Sequence, residues 1–220
     1  MELEAYNLLL ATVTAVGTVL AAWIAAINVV QVNKQIKLSN KQSQLDMRIS
    51  VWQRTIELFS HIQNKQYVPH ELDGIYFDAP VLCNYLISGQ YEVTAMIAIN
   101  GEHQIDVPKH ADAFIRDIKT LSLKASLIFS GDVKVSLVSF IDAYADLIAS
   151  LKAYCFMLRA MQAANEQIRK PLDQYQASFH EPEKRGEVVD ALRRALEAAQ
   201  VLDDDRCQRR IVEQIRLDSQ

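Results

Sequence analysis

Tyr6 to Val32 reads YNLLLATVTAVGTVLAAWIAAINVVQV, and no charged side chain stands between Glu4 and Lys34. The apolar heart of this stretch, Leu8 to Val30, is about 23 residues long, and a helix rising about 1.5 Å per residue carries it roughly 35 Å. That spans a hydrocarbon core of about 30 Å, where only a segment that closes its own backbone hydrogen bonds is stable. The stretch is therefore expected to be a single transmembrane helix. A cleaved signal peptide starts basic, has a shorter apolar run and exits through small residues. Here the start is acidic (Glu2, Glu4), and Ala25-Ala26 is followed by Ile27 and Asn28. A buried core helix of this length rarely goes uncharged.

Working outward, no Lys or Arg precedes the span, whereas Lys34, Lys37 and Lys41 come after it. The positive-inside rule puts the C-terminal side in the cytoplasm and the N-terminal tail outside. Within the span, Gly17, Ala21, Ala25 and Asn28 fall along one stripe, while Leu9, Val13, Val16, Leu20 and Ile27 lie largely elsewhere. Small residues at four-residue spacing let helices approach closely, and an Asn can hydrogen-bond across the contact. The stripe is the candidate for self-association and hence for a homo-oligomer. No Asp, Glu, Lys or Arg lies in the span, so an ion path has no support.

The chain has 220 residues and a formal charge of −4, which offers no general attraction to nucleic acid or acidic lipid. The part beyond the anchor is long enough for one domain with a real core. Cys83, Cys155 and Cys207 are far apart and odd in number, which suits reduced thiols in a cytoplasmic domain. With 6 Gly and 5 Pro, the composition favours helices with few turns. The expected fold is all-α: a tail and anchor over 1–33, a juxtamembrane helix over 34–68, a helical bundle over 69–180 and a C-terminal helical segment over 181–220.

In the juxtamembrane part, Leu45, Ile49, Trp52, Ile56 and Phe59 recur by four and three, a heptad seam extended back to Leu38 and broken at Gln42. Its expected use is to pack this helix on the cytoplasmic domain, with Pro69 ending it. Asp78-Ala79-Pro80 reads as a helix start and Ser88-Gly89 as its stop. Tyr91 to Asn100 reads as a further buried helix or a pair of strands, and 79–101 as buried rather than as a second membrane segment. Asp106-Val107-Pro108 opens a helix carrying Phe114, Ile118, Leu121 and Ala125. Gly131 closes it and Asp132 caps the next. That next helix keeps Leu137, Phe140, Ile141, Tyr144, Leu147, Ile148, Leu151, Tyr154, Leu158 and Met161 on one face. The short link makes the two antiparallel neighbours. Leu172 to Arg185 reads as a loop whose Tyr175, Phe179 and His180 form a candidate partner-binding site. A last helix is expected from about Glu187.

Little here suggests catalysis. No His pairs with another His or a Cys at metal-ligand spacing, and no phosphate loop, nucleophile elbow or H-E-x-x-H motif occurs. Asp142 and Asp146, at i,i+4 spacing, read as a solvated helix face rather than a cation site. Acids outnumber bases from Glu181 to Gln220, so the arginines there make no nucleic-acid footprint. No catalytic residue, cofactor or metal is expected.

Several pieces together resemble a broad group of poorly characterised bacterial single-pass membrane proteins with a helical cytoplasmic domain. They are the uncharged span, Lys41-Gln42 with Leu45-Asp46-Met47-Arg48 before Trp52, the run Lys124 to Val133 (KASLIFSGDV), and Lys170-Pro171-Leu172-Asp173-Gln174-Tyr175. The group usually has Phe where Leu45 stands and a second Lys before Arg48, and Glu187 to Leu217 lies outside the likeness. Some proteins of this look are membrane effectors of anti-phage systems, including retrons. The resemblance thus implies a toxin-like effector at the bacterial inner membrane, partnered by a reverse transcriptase and its small RNA. A passive scaffold that holds a cytoplasmic protein at the membrane is the alternative; an enzyme is not expected.

Overall fold

A computed structural model of the chain describes residues 2–65, 68, 79–89, 110–168 and 180–216. Regular structure among these residues is entirely helical: α1 (Glu2–Gln63), α2 (Ala79–Ser88), α3 (Ala111–Ile128), α4 (Gly131–Ile168), α5 (Glu181–Asp203) and α6 (Asp205–Arg216). The protein is all-α and carries one long apolar N-terminal helix, as the sequence predicts. Tyr91–Asn100, Asp106–Pro108, Pro69, Asp78, Tyr175 and Phe179 lie outside the described residues.

The chain divides into two compact units, Met1–Asp46 and Met47–Asp218. The first is the apolar part of α1 and its polar continuation. From Thr14 to Gln44 every side chain is exposed. The Thr18 hydroxyl donates to the Thr14 carbonyl at 2.8 Å, which satisfies it within its own helix.

The second unit is built around α4. The predicted face is buried from Leu137 through Phe140, Ile141, Tyr144, Leu147, Ile148, Leu151 and Tyr154 to Met161, with Leu158 half-buried. α3 packs beside it through Phe114, Ile118, Leu121 and Ala125. Lys152 of α4 pairs with Asp112 in the first turn of α3, as the antiparallel arrangement fixed by the short link requires. α2 contributes Leu82, Cys83, Tyr85 and Leu86, so the start of the 79–101 stretch is buried. The Tyr144 hydroxyl, fully buried, donates to the Leu86 carbonyl at 2.7 Å. α5 lays Val188, Leu192 and Leu196, with the small Ala191, Ala195 and Ala199, into the same core. The C-terminal segment thus shares one hydrophobic core with the helices before it.

Three features differ from the sequence reading. α3 ends at Ile128, because Phe129 turns into extended backbone and buries its ring. α4 then begins at Gly131, whose φ of +57° suits glycine. α5 begins at Glu181, inside the predicted loop: Pro182 and the acids Glu181 and Glu183 favour a first turn. The third difference concerns α1. Its buried face is Val51, Thr55, Leu58 and Ile62, with Trp52 and Phe59 on the flank. Ile49 and Ile56, expected to pack on the bundle, are 36% and 43% exposed. The bundle has taken the face beside the heptad seam, because Leu58 and Ile62 continue an apolar row that the seam omits.

Leu147 has no exposed surface. Leu147→Asp would bury an unpaired carboxylate at a cost of several kcal/mol and should unfold the second unit. Leu127→Asp, at a 75% exposed position, should leave the melting temperature within a few degrees of the parent. Circular dichroism melts of both variants check this, and equal melting temperatures would place the seam elsewhere.

Candidate functional site

The candidate stripe lies on the uncovered part of α1. Gly17, Ala21, Ala25 and Asn28 are all exposed, as are the bulky Val19, Leu20, Trp23 and Ile24 around them. A Cβ added at Gly17 would meet nothing within 4 Å. Nothing among the described residues therefore requires glycine there, although glycine weakens a helix interior relative to alanine. Among the described residues, α1 is the one helix long and apolar enough to cross a membrane, and none of its apolar window is buried.

A second set of residues ties α1 into the bundle. Arg48, half-buried, donates from Nε to the Ile128 carbonyl at 3.1 Å and from Nη1 to the Gln214 carbonyl at 2.6 Å. Both carbonyls belong to the last turns of helices, α3 and α6, where backbone acceptors lack intrahelical donors and the helix dipole favours a cation. Gln214 completes the joint. Its side-chain amide accepts from the Ser130 N–H at 3.1 Å and donates to the Ser130 carbonyl at 3.0 Å. Arg210 pairs with Asp132 at 2.7 Å, and Ile211 is buried beneath. α6 is thus clamped across the α3–α4 link. Its start is fixed at Asp204, whose carboxylate accepts from the Arg206 N–H at 2.7 Å.

The predicted partner-binding residues are only partly visible. His180 is exposed and precedes α5 with φ of +53°, a left-handed conformation unusual for a residue with a Cβ. Tyr175 and Phe179 lie outside the described residues. Glu181 next door is 4% exposed, and accepts from the Tyr154 hydroxyl at 2.6 Å with Arg185 at 3.6 Å. Sequence reasoning passed over both Arg48 and Glu181. An acid directly before Pro182 was a signal for the second; the partners of the first lie 80 and 166 residues away and leave no local mark.

His61, in the last turn of α1, is pushed below its usual range by burial, against the Leu86 carbonyl and Glu57, which act the other way. Its ring crowds Gly89: a Cβ there would sit 2.5 Å from Nε2, and φ is +69°. Cys83, Cys155 and Cys207 form no disulfide, and burial raises Cys207. Among the described residues, no group of three His, Cys, Asp or Glu could hold a metal ion. Asp142 and Asp146 are both exposed, as a solvated face requires. The arrangement therefore presents apolar helix surface and a clamped bundle. Compared with protein-family models, curated proteins and solved structures, the chain finds no match.

Arg48→Met should strand two helix-terminal carbonyls, cost about 2–3 kcal/mol and release α6, read as faster tryptic cleavage among Arg206, Arg209 and Arg210. An unchanged cleavage rate would show that Gln214 and Arg210 hold α6 alone. The His61 shift also fixes a pH dependence. A lowered folded pKa means that the unfolded chain binds the extra proton. The stability is then fully present above the unfolded value of about 6.5 and is lost as pH falls below it toward the lowered folded value. Urea titrations between pH 7.5 and 5 should show this loss, and His61→Gln should flatten it.

Proposed function

We propose that this chain is a membrane-anchored, non-enzymatic effector of bacterial anti-phage defence, silent until released from a partner and then toxic at the inner membrane. The observation that carries the reading is the apolar helix that the other described residues leave uncovered. Such a helix needs lipid or other helices against it. Lys34, Lys37 and Lys41 orient it with the bundle in the cytoplasm. The stripe of Gly17, Ala21, Ala25 and Asn28 joins the anchors of two or more copies. The resemblance of the span, of the 124–133 run and of the 170–175 run to anchored effectors supplies the class. It also supplies the partner, a reverse transcriptase with its small RNA, and Tyr175, Phe179 and His180 are the residues assigned to receive it.

Three measurements test the reading. A reporter fused after Gln220 should be cytoplasmic, and one placed before Tyr6 periplasmic; the reverse would overturn the orientation. Expression of the chain alone should stop growth and depolarise the inner membrane, whereas a passive scaffold would leave both intact. Gly17→Leu should lower crosslinking of the anchors and toxicity together while membrane insertion persists. Asn28→Ala should weaken association by about 0.6–2 kcal/mol without abolishing it. If Gly17→Leu crosslinks as well as the parent, the stripe faces lipid.

A further inference from the structure

The formal charge of −4 conceals a local segregation in the first compact unit. Between Glu4 and Asp46 the chain carries Lys34, Lys37 and Lys41 and no acid. All three lysines are exposed on α1. A helix turns about 100° per residue, so the three fall within about 60° of one another on one face. Asp46 lies about 140° round the helix from Lys41. The positions three and four residues from each lysine hold no acid, so no ion pair of the helix surface engages the row. Lys37 stands instead three residues from Lys34 and four from Lys41, spacings at which like charges repel. That cost disappears when an anionic surface lies against the row. The other side of α1 is different. Ser39 and Ser43 stand about half a turn from the lysines, and so does the stripe of Gly17, Ala21, Ala25 and Asn28. Anchors joined through the stripe would carry their lysines outward, toward lipid and away from each other's like charge.

We infer that Lys34, Lys37 and Lys41 are a docking surface for the phosphates of anionic lipid headgroups. The inference rests on the proposed anchoring and adds to it a lipid class and a direction of lean. The choice of occupant follows from charge and position. The three lysines stand about 3, 8 and 14 Å beyond Val32 along the helix axis. The polar layer on each side of the hydrocarbon core is about 5–7 Å thick. Lys34 stands within it. Lys37 and Lys41 reach back toward it along their flexible stems, which carry the ammonium to polar surroundings. A lean of the helix toward the row shortens the reach of Lys41, and a tilt of about 20° is ordinary for a spanning helix. Each lysine near an anionic surface strengthens the attraction about fivefold, an effect that fades within a Debye length of about 8 Å. Basic residues scattered round the helix would set only which end is inside. Gathered on one face, they also set which way α1 leans. A soluble nucleic acid would have to enter the headgroup layer to meet Lys34.

The test uses the full chain in phosphatidylcholine vesicles, with and without about 30 mol% phosphatidylglycerol. Cys207→Ser is the background, because Cys83 and Cys155 are buried. A fluorophore is attached at Gln44→Cys, about 50° from the centre of the row, or at Ser43→Cys, about 150° from it. A lipid-borne quencher at headgroup level reports the depth of each label. With phosphatidylglycerol, the label at position 44 should be quenched at least about twofold more than the label at position 43. Without it, the two should be quenched alike. Lys37→Ser combined with Ser39→Lys keeps the net charge and moves one lysine across the helix, so it should about halve the difference. A difference that ignores phosphatidylglycerol, or that survives the exchange unchanged, would overturn the proposal. Labels that respond to added RNA and not to phosphatidylglycerol would overturn it in favour of nucleic acid. Alkaline carbonate extraction separates the two readings. Chain that stays in the vesicles without a phosphatidylglycerol effect overturns the lysine row alone. Chain that is extracted overturns the anchoring and the row together.

Discussion

Two helices, α3 and α6, end on one guanidinium. The carbonyls of Ile128 and Gln214 sit in last turns that have no further N–H to accept from, and Arg48 supplies both. A lysine presents a single compact ammonium, whereas the planar fork of arginine reaches two acceptors at once. The consequence is architectural. α6 is only 12 residues long, and Ile211 is its buried residue. A helix that short is marginal by itself, and tertiary contacts must hold it. Arg48, the reciprocal Gln214–Ser130 bonds and the Arg210–Asp132 pair provide them. Because Ser130 lies in the α3–α4 link and Asp132 in the first turn after it, the same bonds that dock α6 also fix the corner of the central hairpin.

At α2 the constraint is closeness rather than charge. The Leu86 carbonyl accepts from Tyr144 of α4, and the ring of His61 from α1 packs against Tyr85 with centroids 5.9 Å apart. Three helices meet there, and the chain leaves through Gly89 because a side chain would collide with the His61 ring. That crowding desolvates the imidazole, which is why its neutral form is favoured in the folded protein. One bulkless residue and one crowded histidine thus close the joint between α1, α2 and α4.

The parts legible in the sequence were those where one periodicity has one interpretation. On α4, an apolar row without competitors had to be the core face, and it is buried from Leu137 to Met161. Ser88-Gly89 marked the end of α2 because a left-handed residue at a helix end is nearly always glycine. On α1 the pattern was double. The heptad row through Ile49 and Ile56 and the row through Val51, Leu58 and Ile62 are both apolar, and periodicity alone does not say which one the bundle takes. Thr55, fully buried with its hydroxyl on the Val51 carbonyl at 2.8 Å, made the true face look polar. Of the candidate site, the small-residue stripe was visible by spacing. The Arg48 clamp was not, since it joins residues that only the fold brings together.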